Sequence, residues 1–148
     1  MQMTTKIIAL KALITTICMT ATGYAQAQDT QKETAVKAYY NGFENKDWTN
    51  VASVLDAGFT FTSPANDNDH ISLDRFHELC WGTSKYFKAV SFVKMFESGD
   101  QLALLVQITT TDNKTVRNVD IFNFNGEGKI KAVEVFFGAG IGYPGSNK

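Results

Sequence analysis

Between residues 89 and 138 the chain repeats one pattern four times: a strand-length run rich in apolar residues, then a short polar turn. The runs are about Ala89 to Phe96, Leu102 to Thr111, Thr115 to Asn125 and Lys129 to Gly138. Ser98-Gly99-Asp100, Asp112-Asn113-Lys114 and Asn125-Gly126-Glu127-Gly128 separate them. Gly, Asn and Asp reach the backbone conformations that tight connections need, so these spacings predict hairpins and a consecutive antiparallel meander. A sheet of this kind is stable only when one face is buried. Whatever precedes residue 89 has to supply the cover.

The preceding segment reads as mainly helical. Thr30-Gln31-Lys32-Glu33 fits a capping box, and Val36, Tyr39/Tyr40 and Phe43 recur behind it at helical spacing. Asp47 is placed to cap a shorter second helix with Trp48, Val51 and Leu55 on its apolar stripe. The period drops to two in Phe59-Thr60-Phe61-Thr62-Ser63, which predicts a strand between Gly58 and Pro64. The polar stretch from Pro64 to His70 reads as a loop. Ser72 is placed to cap a third helix that carries Leu73, Phe76, Leu79 and Cys80 and ends near Gly82. The expected fold is α+β: three N-terminal helices packed in a strongly curved, mainly antiparallel sheet, forming a cone whose open mouth suits a small ligand.

The first residues carry a different signal. Lys6 and Lys11 are basic, residues 12–19 form a short apolar run, and Ala25-Gln26-Ala27 is a small-x-small cleavage site. The reading is a Sec-type signal peptide over residues 1–27, with a mature domain from Gln28 to Lys148 that is periplasmic or secreted. The alternative is a buried helix or retained anchor, but the run falls well short of the roughly 20 residues a membrane helix needs. No membrane anchor is expected after cleavage. Cys18 leaves with the leader, so Cys80 is the mature chain's one cysteine and no intramolecular disulfide can form. Cys80 reads as a small buried hydrophobe beside Leu73, Phe76 and Leu79. A formal charge of −1 and the lack of any Lys/Arg run exclude a nucleic-acid footprint. His70 and His77 lie across a predicted helix start without a cysteine near either, so no metal is expected, and no cofactor. The tail from Gly138 to Gly145 is expected to be mobile unless a partner subunit holds it.

Asp120 is the first candidate for chemistry. Alternation in Val116 to Phe124 sets Asn118, Asp120, Phe122 and Phe124 on one face, and Arg117, Val119, Ile121 and Asn123 on the other. If the first face is concave, desolvation raises the carboxyl pKa and a neutral acid can donate a hydrogen bond. If it is the outer face, Asp120 is a solvated strand residue. Pattern alone leaves both open. Phe59, Phe61, Phe122, Phe124 and Phe137 likewise either line a cavity or fill a core. Val133, Val135 and Phe137 form the more apolar side of the last strand, with Glu134 outside. Asp67, Asp69 and His70 in the loop, and His77 on the third helix, are further titratable groups for which solvated positions are expected.

The segments Val119 to Ile130 and Val135-Phe136-Phe137-Gly138 are similar to the acid-bearing strand, glycine hairpin and last strand of ketosteroid isomerases. With the helical stretch Tyr39 to Asp47, they make the mature chain resemble the nuclear transport factor 2-like superfamily, specifically its ketosteroid-isomerase and SnoaL-like branches. The resemblance implies a cone with a hollow interior. It places Asp120 on the family's oxyanion-hole aspartic acid, a carboxylic acid kept neutral by apolar surroundings, and Tyr39 on its oxyanion-hole tyrosine. The family's catalytic base, an aspartate before proline, falls on Ser63-Pro64. Serine cannot remove a carbon-bound proton unaided, and a positioned base contributes roughly 10²–10⁴-fold.

The functional expectation is therefore an exported domain that binds a small apolar molecule in its cone. Asp120 and Tyr39 are the candidate donors, and Ser63, Phe61, Phe122, Val133 and Val135 the ligand contacts. Any catalysis would be isomerase- or cyclase-like acid–base chemistry on a carbonyl compound, without metal. A non-catalytic dimerisation or protein-interaction domain is the second expectation. It is motivated by strands such as Leu102 to Ile108 that are apolar on both faces, and a homodimer is the expected assembly. A steroid-isomerase-like enzyme comes third, because the base position holds Ser63.

Overall fold

The computed structural model describes residues 29–64 and 68–138; the leader and the glycine-rich tail lie outside the described residues. Helix α1, Gln31–Asn45, starts where Thr30 Oγ1 accepts the Glu33 amide at 3.1 Å. Among the described residues Glu33 does not reach back to complete the box. The Thr30 hydroxyl instead donates to Glu97 at 2.8 Å, tying the helix start to the sheet. The helix stops at Lys46, in the left-handed region at φ 60°. Helix α2, Trp48–Val54, is capped by Asp47 as expected. The two helices pass so closely that a Cβ on Gly42 would stand 2.4 Å from Val51 Cγ2.

Strand β1, Leu55–Ser63, follows α2 directly and is longer than the period-two segment alone predicted. The expected loop from Pro64 to His70 is corrected at its end, because Asn68–Ser72 is a short strand, β2, paired antiparallel with β1. What makes this polar segment a strand is its neighbour: Asn68 is buried, and its amide donates to Ser63 Oγ. Ser72 then caps helix α3, Leu73–Cys80, which runs on into a 3-10 turn over Trp81–Tyr86. Gly82 therefore lies inside that turn rather than at the helix end. Trp48 packs on Trp81 with ring centroids 5.3 Å apart, and Phe43 on Trp81 at 5.1 Å, which anchors the helical layer.

The meander follows as β3, Phe87–Ser98; β4, Gln101–Thr110; β5, Thr115–Phe124; and β6, Ile130–Gly138. All six strands form one sheet in the order β2-β1-β6-β5-β4-β3. Every neighbouring pair is antiparallel except β1 and β6, which run parallel, so the sheet is mixed. This is the α+β cone expected from the sequence. Its core joins Val36, Tyr40 and Phe43 of α1 and Phe76 of α3 to Phe59 and Phe61 of β1, Leu102, Leu104 and Val106 of β4, and Phe122 and Phe124 of β5.

A hollow at the wide end of the cone

Cross-strand rows on the inner face show where filling stops. Leu102, Phe122 and Val133 form one row, and all three are fully buried. The next row toward the β4–β5 turn is Leu104, Asp120 and Val135, and the one after is Val106, Asn118 and Phe137. Up to Phe122 the cone is packed solid, with Tyr39 and Tyr40 edge-on to the Phe122 ring at 5.6 and 6.2 Å. From Asp120 outward it opens into a cavity of about 280 Å³. Asp120 is thus the innermost residue of β5 on the cavity wall.

The wall includes Tyr39, Phe61, Ser63, Asp120 and Val135. Phe122 and Val133 are off the wall: they sit one row deeper, where aromatic packing leaves no space. The aromatic set therefore divides, with Phe59, Phe122 and Phe124 filling the core and Phe61 and Phe137 facing the hollow. Alternation sets Asp120 inward, and only 3% of its surface is exposed. Burial pushes its carboxyl from an ordinary 3.8 up to about 7, against the lowering effect of a hydrogen bond from Tyr40.

The partner of Asp120 is Tyr40, whose hydroxyl donates to Oδ2, and not Tyr39. Both tyrosines are buried, and burial together with the Asp120 charge holds both phenols well above their usual range. One residue along a helix is a rotation of about 100°. It turns Tyr40 toward β3, with its ring 5.8 Å from Phe92, and Tyr39 toward α3, with its ring stacked at 6.4 Å on Phe76. Val36, Tyr39, Phe43 and Val36, Tyr40, Phe43 are both helical spacings, so no sequence signal separates the two tyrosines. The Tyr39 hydroxyl has no hydrogen-bond partner among the described residues and borders the hollow.

Two further atoms are unpaired. Asp120 Oδ1 and Asn118 Oδ1 are both buried and neither has a partner among the described residues. Asn118 is the functional candidate the sequence reading passed over, although the same alternation that selected Asp120 selects it. On the opposite wall Asn68 Nδ2 lies 3.4 Å from Ser63 Oγ and 3.8 Å from Cys80 Sγ. Cys80 is half-buried, and burial raises its thiol pKa. It is a cavity-wall thiol rather than a fully enclosed one. The other titratable candidates stand elsewhere. Asp69 and His70 are exposed on β2 and hydrogen-bonded to each other, His77 is exposed with its ring 4.2 Å from Trp48, and Asp67 lies outside the described residues. Among the described residues no three His, Cys, Asp or Glu side chains gather as metal ligands.

A curved mixed sheet closed at one end by helices, with a buried acid at the floor of an apolar hollow, defines a class of cone-shaped α+β domains. The chain belongs to the SnoaL-like domain family, whose model matches residues 36–133. Solved structures share the fold. A candidate ketosteroid isomerase from Kribbella flavida superposes with a TM-score of 0.60 at 16% identity, covering 77% of this chain and 82% of that one. An NTF2-like protein of unknown function from Cytophaga hutchinsonii gives 0.57 at 20% identity, covering 76% and 93%. AclR, a candidate hydroxylase from Streptomyces galilaeus, gives 0.61 at 13% identity, covering 72% and 74%. No curated protein sequence matches the chain significantly.

Proposed function

We propose that the chain is an exported SnoaL-like domain that binds a small, largely apolar molecule in its cone and reads an oxygen on it with Asp120, Asn118 and Tyr39. The supporting observation is the unpaired Asp120 Oδ1 at the cavity floor. Leaving a buried acceptor without a partner costs on the order of 1–3 kcal/mol, so a site that keeps one is built for a group that arrives from outside. With Oδ2 engaged by Tyr40, a proton on Asp120 belongs on Oδ1, where it meets a ligand carbonyl; in the ionised form the same atom accepts from a ligand hydroxyl. A midpoint near 7 makes both forms available at neutral pH. Proton removal from carbon in the manner of the isomerases is not part of this reading, because Ser63 holds the base position. Any chemistry is acid–base chemistry run from Asp120. Export rests on the leader signature of residues 1–27.

Acetophenone titrated into the ¹⁵N-labelled protein tests the reading. The expected result is a shift of the Asn118 side-chain amide that is lost in Asp120→Leu. Shifts confined to the outer sheet face would overturn it. A second reading, self-association through that outer face, is favoured by Phe96 and Phe136, which are 65% and 52% exposed there. It is compatible with the first, since the two use opposite faces of one sheet.

A further inference from the structure

The polar groups of the hollow form two poles rather than a scatter. One is Asp120 on β5, with Asn118 and Tyr39 beside it. The other is Ser63 on β1, with Asn68 of β2 behind it. Val135 lies between them. It pairs with Asp120 across β5 and β6, and the parallel register Phe61↔Val133, Thr62↔Glu134, continued by one residue, sets Ser63 beside it. Two strand spacings separate the poles, about 10 Å between backbones. The space between is apolar, walled by Phe61, Phe76 and Val135.

Each pole is built and incomplete. Asp120 Oδ1 is buried without a partner. Ser63 is buried, and its Oγ accepts from Asn68, whose amide is oriented by Ser63 and Cys80 together. Among the described residues the Ser63 hydroxyl proton has no acceptor, so this pole offers a donor. A ligand with a single oxygen satisfies one pole and leaves the other one hydrogen bond short. Size sets a second limit. A cavity of about 280 Å³ lies at the small end of ligand pockets, which run from roughly 300 to 1,000 Å³. That favours a single substituted ring as the part of a ligand held inside.

Resting on the reading of the hollow as a ligand site, we infer that its occupant is a one-ring molecule bearing an oxygen function at each of two opposite ends, bridged between Asp120 and Ser63. The Ser63 end takes an acceptor such as a carbonyl, ether or carboxylate oxygen. The Asp120 end takes a hydroxyl or a carbonyl, according to its own protonation.

The test is calorimetric titration of the purified protein with 4-hydroxyacetophenone, acetophenone, phenol and androst-4-ene-3,17-dione. The two-oxygen ring compound is expected to bind about tenfold more tightly than either one-oxygen compound, the contribution of one further hydrogen bond, and more tightly than the steroid. Ser63→Ala should abolish that tenfold advantage, and Ser63→Thr, which keeps the hydroxyl, should retain it. Equal affinities for one- and two-oxygen compounds, an advantage that survives Ser63→Ala, or a steroid that binds as tightly as the two-oxygen ring would each overturn the two-ended ligand. Those outcomes leave the cavity reading standing, provided binding is lost in Asp120→Leu. No binding of any of the four, together with an unmoved Asn118 amide, overturns both.

Discussion

Asp120 spends most of its electrostatic effect on its own protonation. Its folded pKa, near 7, lies above the ordinary 3.8, so between those values the folded chain binds the proton that the unfolded chain has released. The sign follows from linkage: the contribution to stability is complete below about pH 4, falls as pH rises toward 7, and levels off above it. Asp120→Asn keeps an acceptor for Tyr40 and removes the titration. Urea denaturation at pH 5 and pH 8 should show the parent losing roughly 3 kcal/mol relative to this variant over that interval. Tyr40→Phe acts in the opposite sense on the same carboxyl. It removes the one hydrogen bond that lowers the pKa, so a ¹³C titration should place the Asp120 midpoint above 7, whereas Tyr39→Phe should not raise it in this way. The inward face of Asp120 was legible because a strand allows a side chain only two directions. The choice between adjacent tyrosines was not, since both lie on one broad buried stripe and only packing against β3 and α3 separates them.

Among the elements, those whose residues carry their own instruction matched the sequence reading. Thr30, Asp47 and Ser72 cap the three helices from their own side chains, and the three turns of the meander fall where Gly, Asn and Asp cluster. Strand β2 was unreadable because Asn68–Ser72 has no period-two apolar pattern; its conformation is imposed by the edge of β1. The α1–α2 junction is another feature set by contact. Gly42 is there because its missing side chain admits Val51 and the Asp47 carbonyl. Gly42→Ala should lower stability by about 1–3 kcal/mol through overpacking, measured by urea denaturation. Gly82→Ala, whose new methyl would meet nothing within 4 Å, should stay within about 0.5 kcal/mol of the parent.

The whole molecule presents two unlike sheet faces. Inside, the hollow begins abruptly after Phe122; the sequence held the aromatics but not the row at which they stop filling. Outside, Lys94, Leu105, Val119 and Phe136 line up across β3, β4, β5 and β6, with Phe96, Ala103 and Ile121 in the adjoining row. This partly exposed apolar surface is the ground of the self-association reading proposed above. If it pairs, sedimentation should give a dimer at micromolar concentration, and Phe96→Lys with Phe136→Lys should yield a monomer that still binds acetophenone. A monomeric parent would remove the self-association reading and leave the cavity untouched.

The parallel β1–β6 pair also sets a timetable. Leu55 pairs with Ile130, so the strand that opens the sheet gains its inner neighbour only when the last strand is in hand. Closing so long a stretch of chain carries an entropic cost that hairpins avoid, and it slows assembly. The β3–β6 meander can form locally as it is made, while β1 gains its inner neighbour only with β6. A polypeptide leaving a ribosome N-terminus first therefore cannot complete the β1–β6 pair until β6 has emerged.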